Sequence, residues 1–263
     1  ITDQLTQAVR SSVDSPTVSI LAVDPTSPFT GGAILGDRIR MRNHYLDQNI
    51  FIRSLGTRGV HGGLSRIIDT AINLMSSFGF EIIIVETVGV GQTELDIINV
   101  ADTSVIVLVP ESGDSIQTMK SGIIEIADVF VVNKSDRDGA TQLVNSLETT
   151  LNLIETKTSR IPEVLMTQAH RDQGVISLYS AILEHRKFME SNCNVDERRH
   201  LRRKNEFSRI LKEFLGNEID QLIYKNENLK AIVKKVERNE LDPYTAVIHI
   251  MNNQISLEIS SGN

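Results

Sequence analysis

Cysteine is used once in the 263 residues, at Cys193. One thiol makes no intrachain disulfide and no cysteine metal cluster, and it fits a reducing cytosol. No apolar run approaches the roughly 20 residues that cross a bilayer as a helix. No signal peptide is visible, so a cytoplasmic protein without membrane insertion is expected. A basic excess is also missing: 27 Lys and Arg stand against 34 Asp and Glu, a formal charge of −7. With no long basic tract, nucleic acid is not an expected partner. The short run from Arg198 to Lys204 reads as a solvated helix face. His44, His170, His185, His200 and His249 form no metal-ligand spacing with one another or with cysteine. Internal repeats and low-complexity segments are absent.

What remains is ordinary globular material, 40% hydrophobic and 23% charged, enough for one large α/β domain with an appendage. Short β-branched runs predict strands over 17–23, 50–53, 80–86, 104–109, 129–132 and 163–166. Apolar residues at helical spacing predict helices over 1–13, 64–78, 116–126, 140–153 and 175–189. Gly79 reads as the stop of the second of these. From about residue 196 onward the pattern is helical only. The alternation predicts a mainly parallel sheet with right-handed crossovers. The expected division is 1–190 for the α/β domain and 191–263 for a helical extension. The apolar stripe Leu201, Phe207, Ile210, Leu211 and Phe214 is expected to pack on a partner helix.

The stretch Val85-Glu86-Thr87-Val88-Gly89-Val90-Gly91-Gln92 ends a buried strand on a carboxylate and then breaks into glycines. Doubly wound α/β proteins place metals and phosphates at such strand ends. Asp24 closes another apolar strand, so Asp24 and Glu86 are expected at one sheet edge. With Asp37 they are the candidate Mg²⁺ carboxylates. Gly89 and Gly91 let backbone N–H groups approach a phosphate. Gln92 and Lys120 are candidates for positioning water or stabilising charge. The loop from Gly56 to Gly63 is either a mobile switch or a long turn, and His61 within it reads as a surface histidine.

Asn133-Lys134-Ser135-Asp136 directly follows a buried strand and has the N-K-x-D pattern. The chemistry selects guanine. A carboxylate at Asp136 accepts from the ring N–H and the exocyclic amine, a pair of donors that adenine does not offer in that arrangement. A site built on such bonds rejects the analogue that lacks them, because its polar group is left unpaired. A Gly-x-x-x-x-Gly-Lys-Ser/Thr phosphate loop occurs nowhere in the chain. The chain opens Ile1-Thr2-Asp3-Gln4-Leu5, with no initiator methionine and at helical spacing. The expectation is a fragment that starts just after that loop. Without the phosphate cradle, this chain alone is expected to bind GTP weakly or not at all.

Taken in order, Val23 to Ser27, Thr30 to Arg38, Phe51-Ile52-Arg53, Gly62-Gly63, Val85 to Gln92, the Gln117 and Lys120 helix start and Asn133 to Asp136 carry a resemblance. They look like the methylmalonyl-CoA mutase-associated GTPase family, the MeaB/ArgK-type dimeric P-loop GTPases. The resemblance covers nearly the whole chain. It implies a P-loop GTPase domain, here without its first strand and phosphate loop, followed by a C-terminal α-helical extension. It implies GTP or GDP as ligand, with Asn133, Lys134, Asp136, Gln168 and Ala169 near the base. Mg²⁺ would lie near Asp24, Asp37 and Glu86. It further implies GTP hydrolysis and a chaperone role beside an adenosylcobalamin-dependent acyl-CoA mutase, gating cofactor loading. The segment from Pro110 to Lys120 matches a switch that responds to the mutase, and the C-terminal helices resemble a homodimerisation arm. Departures are the missing phosphate loop, Gln168-Ala169 where the family usually has Ser-Ala, and Ser121 in place of a second lysine. Two other readings compete: a regulatory kinase or ATPase of lysine/arginine/ornithine transport, and a GTP-independent dimeric scaffold.

Overall fold

The computed structural model describes residues 1–24, 41–56, 63–87, 100–110, 124, 127–153, 160–191 and 194–251. The chain divides into two compact units, 1–202 and 203–263.

In the first unit every described ladder is parallel, as the alternation of short strands with helices predicts. The elements in order are α1 (Thr2–Arg10), β1 (Val18–Asp24), β2 (Ile50–Gly56), α2 (Gly63–Ser77), β3 (Ile82–Thr87), β4 (Val105–Leu108), β5 (Val129–Asn133), α3 (Ala140–Leu153), β6 (Glu163–Thr167) and α4 (Val175–Ser191). They build two three-stranded sheets, in the orders β2-β1-β3 and β4-β5-β6. The helix expected over 116–126 lies outside the described residues apart from Ile124, which is buried.

One apolar core joins the two sheets. Val18 and Ile20 of β1 meet Val129 and Val131 of β5, under Leu5 and Val9 of α1 and Val175, Leu178 and Ala181 of α4. The alternate residues of β5, Phe130 and Val132, face the opposite core, built on Leu143, Leu147 and Leu151 of α3. A strand buried on both faces reads as an unbroken apolar run, and Val129-Phe130-Val131-Val132 is one. On β1, Val23 turns to a third cluster with Ile68 of α2. All six residues of β3 are only half-buried.

The far ends of β4 and β5 are pinned by a buried histidine. His185 of α4 lies with Nε2 3.1 Å from Asp128 Oδ1 and Nδ1 2.9 Å from Thr103 Oγ1. The second carboxylate oxygen of Asp128 accepts the Ser104 N–H at 2.8 Å. Burying an imidazole and a carboxylate is costly unless their polar atoms are matched, and here they are.

The first helix stops sooner than the sequence periodicity suggests. It ends at Arg10 rather than 13, and Val13 is fully exposed. The reason lies in the Arg10 side chain. Its guanidinium turns back to the carbonyls of Ser15 and Pro16 and pairs with Asp47 through two hydrogen bonds, the shorter 2.8 Å. Ser15, at φ 40°, turns the backbone sharply before β1. Gly79 does end α2, at φ 90°, with the Phe80 N–H reaching back to the Met75 carbonyl.

The second unit is helical. It holds the greater part of α5 (Asn194–Lys225), with α6 (Glu227–Glu237) and α7 (Pro243–Ile250). Asn226 caps α6 by accepting the Asn228 and Leu229 N–H groups, and Asp242 caps α7 by accepting that of Thr245. On α5, Phe207, Ile210, Leu211, Phe214 and Leu215 are exposed at helical spacing.

The Arg10 guanidinium and the Asn49 N–H hold the Asp47 carboxyl below the usual carboxylate range. A carboxyl depressed in the folded state stabilises the fold above its unfolded pKa, and that contribution disappears as pH falls through the folded value. Asp47→Asn should therefore cost about 0.5–1 kcal/mol at neutral pH. Urea titrations at pH 7 and pH 3 should show the gap from wild type shrinking at the lower pH. A gap that stays constant would mean that Asp47 acts through packing instead.

Candidate functional site

The end of β5 and the end of β6 form one assembly. Asn133 is the last residue of β5 and lies opposite Thr167, the last of β6. Two donors converge on the Asn133 side-chain oxygen: Thr167 Oγ1 at 3.1 Å and the Ala169 N–H at 3.2 Å. The backbone then turns sharply, with Lys134 at φ 56°, a left-handed conformation that few residues other than glycine adopt. That turn lets Ser135 donate its N–H to the Thr167 carbonyl at 3.1 Å. Asp136 emerges exposed. Among the described residues no hydrogen bond or ion pair engages its carboxylate. An unengaged carboxylate on an ordered loop is free to accept two N–H donors from a planar ligand.

The partner loop is as tightly closed. Gln168 and Gln173 exchange backbone hydrogen bonds at 3.0 and 3.3 Å. Between them lies a 3₁₀ turn, Ala169–Arg171, that ends at Asp172 in the left-handed region. Gly174 follows at φ 77°, and a Cβ there would stand 2.3 Å from the Met166 carbonyl oxygen. The Ala169 N–H is given to Asn133 here. Gln168 directs its side-chain oxygen toward Arg171, at 3.5 Å.

The strand register relates the acids. Ala22 of β1 pairs with Glu86 of β3, and side chains two apart on a strand share a face. Asp24 and Glu86 therefore hold positions on the same face at the C-terminal edge of one sheet, on neighbouring strands. Glu86 is half-buried and has no partner among the described residues. A lone half-buried carboxylate, with a second acid position diagonal to it, is a donor set suited to a hard cation. Among the described residues no group of three potential ligands is assembled. Asp37, Gly89, Gly91, Gln92 and Lys120 lie outside the described residues, as does the side chain of Asp24.

Thr167 and Gly174 are functional candidates that the sequence reading passes over. The signal for Thr167 was its place at a strand end just before Gln168-Ala169, but its value depends on the β5–β6 register. Gly174→Ala should destabilise the fold by about 2–4 kcal/mol, from left-handed backbone cost and overpacking against Met166. Urea unfolding measures this, and a loss below about 0.5 kcal/mol would show that the loop relaxes freely.

Comparison with known proteins finds relatives of this chain. The "Putative GTPase" of Pyrococcus abyssi (strain GE5 / Orsay) is 42% identical over 237 residues, 89% of this chain and 73% of that protein. The "GTPase ArgK" of Escherichia coli (strain K12) is 30% identical over 239 residues, 88% of this chain and 71% of that one. The mouse (Mus musculus) "Methylmalonic aciduria type A homolog, mitochondrial" is 35% identical over 191 residues, 71% of this chain and 46% of that protein. Among solved structures, that of a LAO/AO transport system kinase covers 94% of this chain and 74% of its own, with a TM-score of 0.65 at 21% identity. That last likeness speaks for the fold alone. The family model described as methylmalonyl Co-A mutase-associated GTPase MeaB matches residues 2–223, and the chain belongs to that family.

Proposed function

We propose that this chain recognises guanine as a GTP-binding and hydrolysing chaperone of an adenosylcobalamin-dependent acyl-CoA mutase, gating cofactor loading. The observation that carries the reading is the exposed carboxylate of Asp136, unengaged among the described residues, on a loop locked to the neighbouring strand through Asn133. Asp136 accepts the ring N–H and exocyclic amine of guanine. Lys134 lies along the base, and Gln168 and Ala169 border it. Glu86 and Asp24, with Asp37, would hold Mg²⁺ through carboxylate oxygens, and the ion would supply charge neutralisation at the phosphates. Gly89 and Gly91 present backbone N–H groups to the terminal phosphate, while Gln92 and Lys120 orient water and stabilise developing charge during hydrolysis.

The mutase as partner is supported by family membership. The exposed apolar face of α5 supports homodimerisation through region 191–263, since a stripe of Phe207, Ile210, Leu211 and Phe214 left in water is costly unless a helix covers it. No described helix is long and apolar enough to cross a membrane. A regulatory kinase of amino-acid transport is the alternative. The sequence shows no kinase catalytic base for it.

Calorimetry with GDP and ADP in excess Mg²⁺ tests the base assignment. The chain alone should bind GDP weakly and still in preference to ADP, and Asp136→Ala should cost roughly tenfold or more of that affinity. Equal affinity for the two nucleotides would overturn the guanine reading. Co-precipitation with an acyl-CoA mutase tests the partner, and a mutase that neither binds nor alters the GTPase rate counts against it.

A further inference from the structure

Guanine shows two donors along one edge, the exocyclic amine and the ring N–H, and beside them a carbonyl oxygen that accepts. Where guanine has that oxygen, adenine carries an amine, which donates. A carboxylate reads only the two donors. A protein donor placed beside Asp136 would read the third group, and it would meet adenine donor to donor.

We propose that Gln168 is a specificity-determining residue whose side-chain amide nitrogen donates to the guanine carbonyl oxygen, with the amide oriented by Arg171. The proposal rests on the guanine reading above and adds a contact to that same site. The backbone here does not offer the donor. The Gln168 N–H goes to the Gln173 carbonyl and the Ala169 N–H to the Asn133 side chain, so neither residue has a backbone donor to spare. The side chain of Gln168 is well placed instead. The Thr167 carbonyl, part of the peptide group that leads into Gln168, accepts the N–H of Ser135, the residue before Asp136.

The backbone of Gln168 is fixed. Its N–H and carbonyl both pair with Gln173, and its sequence neighbours Thr167 and Ala169 are buried. Gln168 itself is half-buried, so part of it reaches solvent. Arg171 sets which end of the amide is free. A guanidinium only donates, so the amide atom 3.5 Å from Arg171 Nη1 is the oxygen. The nitrogen is the other end, and among the described residues nothing accepts from it. A hydrogen bond of that length is weak, so Arg171 biases the amide and does not lock it.

NMR titration of the whole chain at millimolar nucleotide, following the Gln168 side-chain amide, tests the contact. The probes are GDP, ADP and 6-thioguanosine diphosphate, which keeps both guanine donors and replaces the oxygen by sulfur, a weak acceptor. GDP should shift the Gln168 amide signals more than the thio analogue does. In Gln168→Met, of similar length and without a donor, the preference for GDP over the thio analogue should shrink roughly three- to tenfold, the loss of about one hydrogen bond. Affinity for the thio analogue should hold. Gln168→Glu replaces the donor by an acceptor and should move the preference from GDP toward ADP, since repulsion of the phosphates weighs on both alike. Arg171→Ala should lower the preference for GDP over the thio analogue by less than Gln168→Met does. Equal losses of GDP and the thio analogue in the methionine variant would reduce Gln168 to a packing role and overturn the contact. A Gln168 amide that no nucleotide shifts would overturn it too. An unchanged preference in Arg171→Ala would overturn the orienting part. Equal affinity of the wild-type chain for GDP and ADP would sink the guanine reading itself, whereas a GDP preference left intact by Gln168→Met sinks only the role of Gln168.

Discussion

The double burial of β5 is the constraint on which the rest of the structure depends. Val129, Phe130, Val131 and Val132 are all withdrawn from water. Each such side chain contributes about 1.5–3 kcal/mol. Val129 and Val131 serve the core shared with β1, α1 and α4, and Phe130 and Val132 serve the core of α3. A strand so held can shift neither by one residue, which would exchange its two faces, nor by two, which would open both cores. The residue where it stops being buried is Asn133. The Asn133–Asp136 loop therefore starts from a point that the whole unit holds still.

That relation explains how far the residues could be read without coordinates. The unbroken apolar run and the Asn-Lys-Ser-Asp motif after it are local features, and both the strand and the turn were legible. So were the parallel arrangement, the stop at Gly79 and the helical character of the extension. What was hidden depends on pairing. Nothing near Thr167 in the sequence says that its hydroxyl meets Asn133, because those residues lie 34 positions apart. Val13 misled for a related reason. It continues the apolar period of α1, but Arg10 is drawn to Asp47, 37 positions away, and the turn this sets closes the helix early. The tertiary partner of one side chain overrode the periodicity of its neighbours.

The acids show the same boundary between local and paired information. That Asp24 and Glu86 each close a strand was plain from their apolar approaches. That they share a face follows only from the pairing of Ala22 with Glu86. A slip of one residue would have put them on opposite sides of the sheet. The two ends of the candidate site thus rest on two different registers, β1 with β3 for the acids and β5 with β6 for the Asn133–Asp136 loop, coupled through the apolar core beneath both sheets.

The histidine at the other end of β5 gives this arrangement a mechanical side. His185, Asp128, Thr103 and Ser104 tie the start of the strand to α4 and to the approach of β4. β5 thus behaves as a rod clamped at its root and packed along its length. A rod mounted that way transmits no slack. Any displacement at the Asn133 tip has to be taken up by the turn beyond it, at Lys134 and Ser135. Whatever binds there is met by a turn one or two residues long, tied to β6 through the Ser135 N–H, not by the sliding of a strand.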